Sequence, residues 1–177
     1  MDMTLKKRQF LVEEFLMFSL NAGLQTRGNP VYAHNGKECA DMRTDIKNYL
    51  VQYAQEFDKI SEDYHYEKIQ NLSNSLSEKY SGVLLNNRFR IGISQKIINL
   101  FLKYMWTAGN IKMPFHCPFD SIIKSKLLKG NSTVRLQDWT MFDSIDEYRK
   151  YVSLARISAD ELQLTIAEWE LVSWNRK

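Results

Sequence analysis

RFRIGISQKIINLFLKYMW, residues 88–106, is the stretch on which the fold turns. From Ile97 onward its apolar residues recur three and four apart (Ile97, Leu100, Phe101, Tyr104, Met105), the spacing of one helix face. Gly92 stands just before that helix and Asn86-Asn87 before Gly92, so a turn leads into it. Downstream, residues 109–135 read GNIKMPFHCPFDSIIKSKLLKGNSTVR. Pro114 and Pro118 keep the middle of this segment irregular. Asp120 stands where it caps a short helix carrying Ile122, Ile123, Leu127 and Leu128.

The charge of the same segment sets it apart. Between Arg88 and Arg135 there are nine Lys or Arg and a single acid, Asp120, a net +8 in a chain that is +3 overall. The remaining residues therefore sum to −5. A segment so biased is suited to nucleic acid or to an acidic partner protein.

Elsewhere the pattern is also helical. Residues 4–23 are expected to form a helix capped by Thr4 and stopped at Gly23, with Phe10, Leu11, Phe15, Phe18 and Leu20 turned to the core. Residues 24–36 are rich in turn formers. Helical spacing returns over residues 37–59 (Met42, Ile46, Tyr49, Leu50, Tyr53, Phe57) and about 63–80 (Tyr66, Ile69, Leu72, Leu76). Ser144 to Glu147 and Ser158 to Glu161 both have the form of capping boxes. Trp169 and Trp174 near the C-terminus read as packing residues. No segment alternates with period two. The expected fold is all-α, one globular multi-helix domain over residues 1–177, with the basic, hairpin-containing segment at 88–135.

Composition narrows the class. A hydrophobic content of 44% is enough for a packed core, which excludes a disordered chain. Two cysteines, Cys39 and Cys117, make no disulfide framework. The N-terminal MDMTLKKRQF lacks the apolar core of a secretory leader, and LFLKYMW is broken by Lys103, so a reducing cytoplasmic location and no membrane association are expected. His116-Cys117 with His34 and Cys39 lack the spacing of a zinc site, and no metal or cofactor is expected.

The motif that bears on function is Gly92-Ile93-Ser94-Gln95-Lys96, with Pro118-Phe119-Asp120 following 24 residues after the lysine. It resembles the hairpin of the helix-hairpin-helix DNA glycosylases, whose pattern is Gly, apolar, Gly, any residue, Lys and then a helix. Ser94 stands here in place of the second glycine. The long lysine-to-aspartate spacing is most similar to that of the divergent archaeal 8-oxoguanine glycosylases. The likeness covers residues 86–128.

The resemblance implies a DNA base-excision glycosylase, with or without strand-cleaving AP-lyase activity, acting on a flipped base. Lys96 would be the amine that attacks the sugar and Asp120 would assist proton transfer. Arg88, Arg90, Gly92, Ser94, Gln95 and Lys124 would contact the nucleic acid. Trp106, Phe115, His116, Phe119 and Trp139 would line the base pocket. Read without the resemblance, Lys96 is a solvated or phosphate-contacting lysine and Asp120 an N-cap. Two other functions fit the residues: a non-catalytic nucleic-acid-binding helical module, or a phage or mobile-element protein whose basic segment binds an acidic protein.

Overall fold

The computed structural model describes residues 2–26, 28–129 and 133–174. They form seven α-helices: α1 (Met3–Leu24), α2 (Lys37–Glu56), α3 (Glu62–Lys79), α4 (Ile91–Thr107), α5 (Ser121–Leu127), α6 (Ile145–Asp160) and α7 (Ile166–Ser173). Among the described residues there is no strand, only an isolated antiparallel bridge between Tyr32 and Leu84. No helix there is long and apolar enough to cross a membrane.

The helices assemble around α4, which packs against α1, α2, α3 and α6. Thirteen of its 17 residues are buried, so it is not an amphipathic surface helix with one apolar face. It also begins at Ile91, six residues before the helical spacing becomes visible, because Ile91 and Ile93 pack as well as Ile97 and Ile98. Segment 88–135 thus supplies the structural axis of the domain. At the crossing of α1 and α4 the backbones come so close that a Cβ on Gly23 would lie 2.2 Å from Ile97 Cγ1. Gly23 is therefore a contact residue inside α1, and the helix ends one residue later.

Three other expectations are corrected. In α1 the buried face is Leu16, Leu20 and Leu24, with Ser19 and Gly23. Phe10, Leu11 and Phe18 instead face outward, Phe10 at 63% exposure. The cap is Asp2, whose Oδ1 accepts from the Thr4 and Leu5 amides. In the last third, Ser144 caps α6 as expected, but Ser158 lies inside that helix and caps nothing. The complete capping box is Thr165 with Glu168, at the start of α7. Buried Ala155 and Ala159 keep α6 running through the second Ser-x-x-Glu, so tertiary packing overrides the local signal.

Candidate active site

Lys96 lies in the second turn of α4 and Asp120 immediately before α5, and the structure brings them together. Lys96 Nζ is 2.7 Å from Asp120 Oδ2. The other carboxylate oxygen accepts the Ile122 and Ile123 amides at 3.0 Å each. Asp120 is thus both the cap of α5 and the partner of Lys96, one oxygen to each task. Burial, the largest single influence, pushes its carboxyl up. The charge and hydrogen bond of Lys96, with the two helix amides, more than offset it and hold the carboxyl below its ordinary value.

Gln95 sets this register. Its Nε2 donates to the Phe119 carbonyl at 2.8 Å and its Oε1 accepts the Phe119 amide at 3.2 Å. One side chain therefore grips both backbone groups of residue 119, which lays the following residue, Asp120, against the following residue, Lys96. Removing the clamp in Gln95→Ala leaves two buried backbone groups unpaired. It is expected to cost about 2–4 kcal/mol, read as a lower urea midpoint with an unchanged m-value.

Behind Gln95 a buried polar chain fixes the geometry. Asn99 Nδ2 donates to the Tyr148 hydroxyl (2.9 Å), and that hydroxyl meets His116 Nδ1 (2.7 Å). His116 Nε2 reaches Glu62 Oε1 at 2.9 Å, where Arg156 also binds. On its other side, Asn99 Oδ1 meets His65 Nε2 at 2.9 Å, and Tyr53 closes the chain on His65 Nδ1 at 2.6 Å. Burial depresses both histidines, His65 well below its ordinary value and His116 below it. Both are neutral at pH 7, each donating from Nε2 and accepting at Nδ1. The unfolded chain takes up protons below about pH 6.5 that the folded chain refuses, so this stability is complete above that value and declines as pH falls through it. The melting temperature is expected to drop by roughly 5–10 °C between pH 6.5 and pH 5. His65→Gln should flatten that part of the profile.

The Lys96–Asp120 pair opens onto a cleft of about 250 Å³ between α4, α5 and α7. Lys96, Leu100, Lys103, Tyr104 and Thr107 line it from one face of α4, at the helical spacing of four, three, one and three. Facing them are Glu170, Leu171 and Trp174, with Ile122 and Lys126 at the side. A second ion pair lies here: Lys103 Nζ is 2.6 Å from the buried Glu170 Oε2, at an angle short of hydrogen-bond alignment. Lys103 also lies 5.4 Å from the centre of the Trp174 ring, and Lys96 6.0 Å from that of Trp139. Cys117 is wholly buried nearby, and burial pushes its thiol well up, so it is no nucleophile. No family model, curated protein or solved structure matches the chain.

The other site expectations fare differently. Gly92, Ser94 and Gln95 are buried inside α4, and its first amides are already used: Ile91 N–H by Asp143 Oδ1 and Gly92 N–H by the Phe142 carbonyl. No glycine hairpin with free amides faces solvent here. Arg88 pairs with Asp143 at 2.7 Å, Arg90 donates to the carbonyls of Asn29 and Pro30, and Lys124 pairs with Asp138 at 2.6 Å. The net +8 of the segment is therefore largely matched by acids and carbonyls from elsewhere in the fold. Of the expected pocket aromatics, only Trp139 is beside Lys96. Phe119 is core, between Tyr148 and Tyr151, and His116 belongs to the buried chain. Phe115 lines a separate hollow with Glu62, Lys112 and Arg156, and half-buried Trp106 does not line the cleft. Among the described residues no three His, Cys, Asp or Glu side chains gather as a metal site.

Proposed function

We propose that the chain is a DNA base-excision glycosylase in which Lys96 is the nucleophile and Asp120 its proton partner. The observation that carries this reading is the 2.7 Å contact between the nearly buried lysine and its carboxylate, on the wall of a cleft edged by aromatic rings. An engineered cavity of about 150 Å³ holds benzene. A cleft of about 250 Å³ therefore has room for one planar heterocycle.

The chemistry follows from the pair. A target nucleotide turned out of its stack places its base against Trp174 and Tyr104, which supply ring faces, while Lys103 and Glu170 offer a donor and an acceptor. Lys96 must lose a proton before it can attack, and Asp120 Oδ2 is the acceptor in place. The free amine then bonds to C1′ as the C1′–N bond to the base breaks, and the base leaves with that electron pair and takes a proton from Asp120. The sugar ring then opens as the C1′–O4′ bond breaks and O4′ takes one proton from Nζ. This leaves a protonated Schiff base between C1′ and Lys96 Nζ, whose charge the Asp120 carboxylate, ionised again, balances. Lys126 on the cleft wall and exposed Lys129 beyond α5 would offer positive charge to a bound phosphodiester.

The test is base release. Duplexes each carrying a single 8-oxoguanine, uracil or alkylated base are incubated with the protein, and free base is separated by chromatography. Release from one of them supports the reading and names the lesion class. Salt-sensitive binding with no release from any duplex would favour a non-catalytic binding module.

A further inference from the structure

We propose that the outward face of α1 is a self-docking surface on which a second copy of the chain pairs antiparallel. Of the six large apolar side chains exposed on this helix, Leu5 lies on the side of Gly23 and five stand together: Met3, Phe10, Leu11, Met17 and Phe18. At 100° per residue they share one side with Lys7 and Glu14, which fall at its centre. Met3, Lys7, Phe10, Glu14 and Met17 repeat at intervals of four and three, the seam of a paired helix. Among the described residues, Phe18 at one end of this face meets Tyr104 of α4, while Met3, Phe10, Leu11 and Met17 stay exposed, because α1 packs inward on α4 and α2 through its other face.

The occupant follows from the order of the residues. Reversed about a point between Phe10 and Leu11, this face matches itself except at Met17, which meets Thr4. Antiparallel pairing there sets Phe10 against Leu11 of the second copy, Met3 against Phe18 and Lys7 against Glu14, each twice by symmetry. Neither Lys7 nor Glu14 has an ion-pair partner among the described residues, whereas neighbouring Glu13 is engaged by Lys47. The same acid argues against a lipid surface. Glu14 lies in the middle of the apolar stripe, where an anionic membrane would repel it. The second copy would also approach the cleft, because Phe18 lies 6.2 Å, ring centre to ring centre, from Tyr104 on the cleft wall.

Sedimentation equilibrium over a concentration series tests this. The wild-type chain is expected to show a monomer–dimer equilibrium, and Phe10→Asp to be monomeric while keeping its helical circular dichroism. Lys7→Glu alone and Glu14→Lys alone should each weaken the dimer roughly tenfold to a hundredfold. The double variant Lys7→Glu/Glu14→Lys should recover it, because the reversed charges still meet. A monomeric wild type at every concentration overturns the proposal. So does a dimer whose affinity ignores both single reversals, or one that the double variant fails to restore.

Discussion

Lys96→Gln is expected to lower base release at least about 10³-fold while leaving the chain folded and able to bind DNA. Glutamine keeps a long side chain and an N–H that can still donate to Asp120 Oδ2, so the cleft wall stays intact. It has no amine to form a bond with C1′. A lysine that served only to anchor Asp120 would be replaced with little effect on turnover. The companion variant separates the two tasks of Asp120. In Asp120→Asn the retained carbonyl oxygen still accepts the Ile122 and Ile123 amides, so α5 keeps its cap. The new amide group, however, presents donors to the Lys96 ammonium and cannot take its proton. Release is expected to fall about 10²–10⁴-fold. A variant with normal thermal stability and normal turnover would reduce Asp120 to a cap.

The largest structural effect is expected from Gly92→Ala. A Cβ at residue 92 would lie 1.8 Å from the Trp139 carbonyl oxygen and 3.2 Å from that of Phe142, and both are backbone atoms that cannot swing aside. Either α4 or residues 139–142 must shift, and the 3.1 Å bond from the Gly92 amide to the Phe142 carbonyl is lost with the shift. The cost is expected to be about 3–5 kcal/mol, a fall of roughly 6–15 °C in melting temperature. Gly82→Ala, at a glycine with open space around it, is the control and should change little. If Gly92→Ala instead kept full stability but lost DNA affinity, residue 92 would be a phosphate-contacting turn rather than a packing contact.

That contrast shows how far the sequence could be read. Helical spacing located α2, α3 and the core of α4, because their buried residues are strongly apolar and three or four apart. It misjudged α1, where large apolar residues fall on both sides and the buried side also holds Ser19 and Gly23. Periodicity reports which side of a helix is apolar, not which side has a neighbour. The resemblance to the glycosylase pattern singled out Lys96 and Asp120, two residues that the fold places in contact. It could not show that Gln95 joins them, since that bond runs through the Phe119 backbone. The rest of the cleft was partly legible. Lys103 and Tyr104 follow Lys96 by seven and eight residues, on the same face of the helix. Glu170 and Trp174 come from α7, and no local pattern ties that helix to α4. The net +8 of residues 88–135 misled for a related reason: a count along the chain does not see Asp143, Asp138 or Glu170 arriving from elsewhere in space.

The most direct measurement is borohydride trapping followed by peptide mapping. The protein is incubated with duplexes carrying 8-oxoguanine, uracil, an alkylated base or an abasic site, the mixture is reduced, and the covalent protein–DNA species is digested. With Lys96 as nucleophile, the wild-type chain yields a reduced adduct whose modified peptide contains Lys96, and Lys96→Gln yields none. An adduct mapped to another lysine, or base release with no adduct on any of the duplexes, would contradict it.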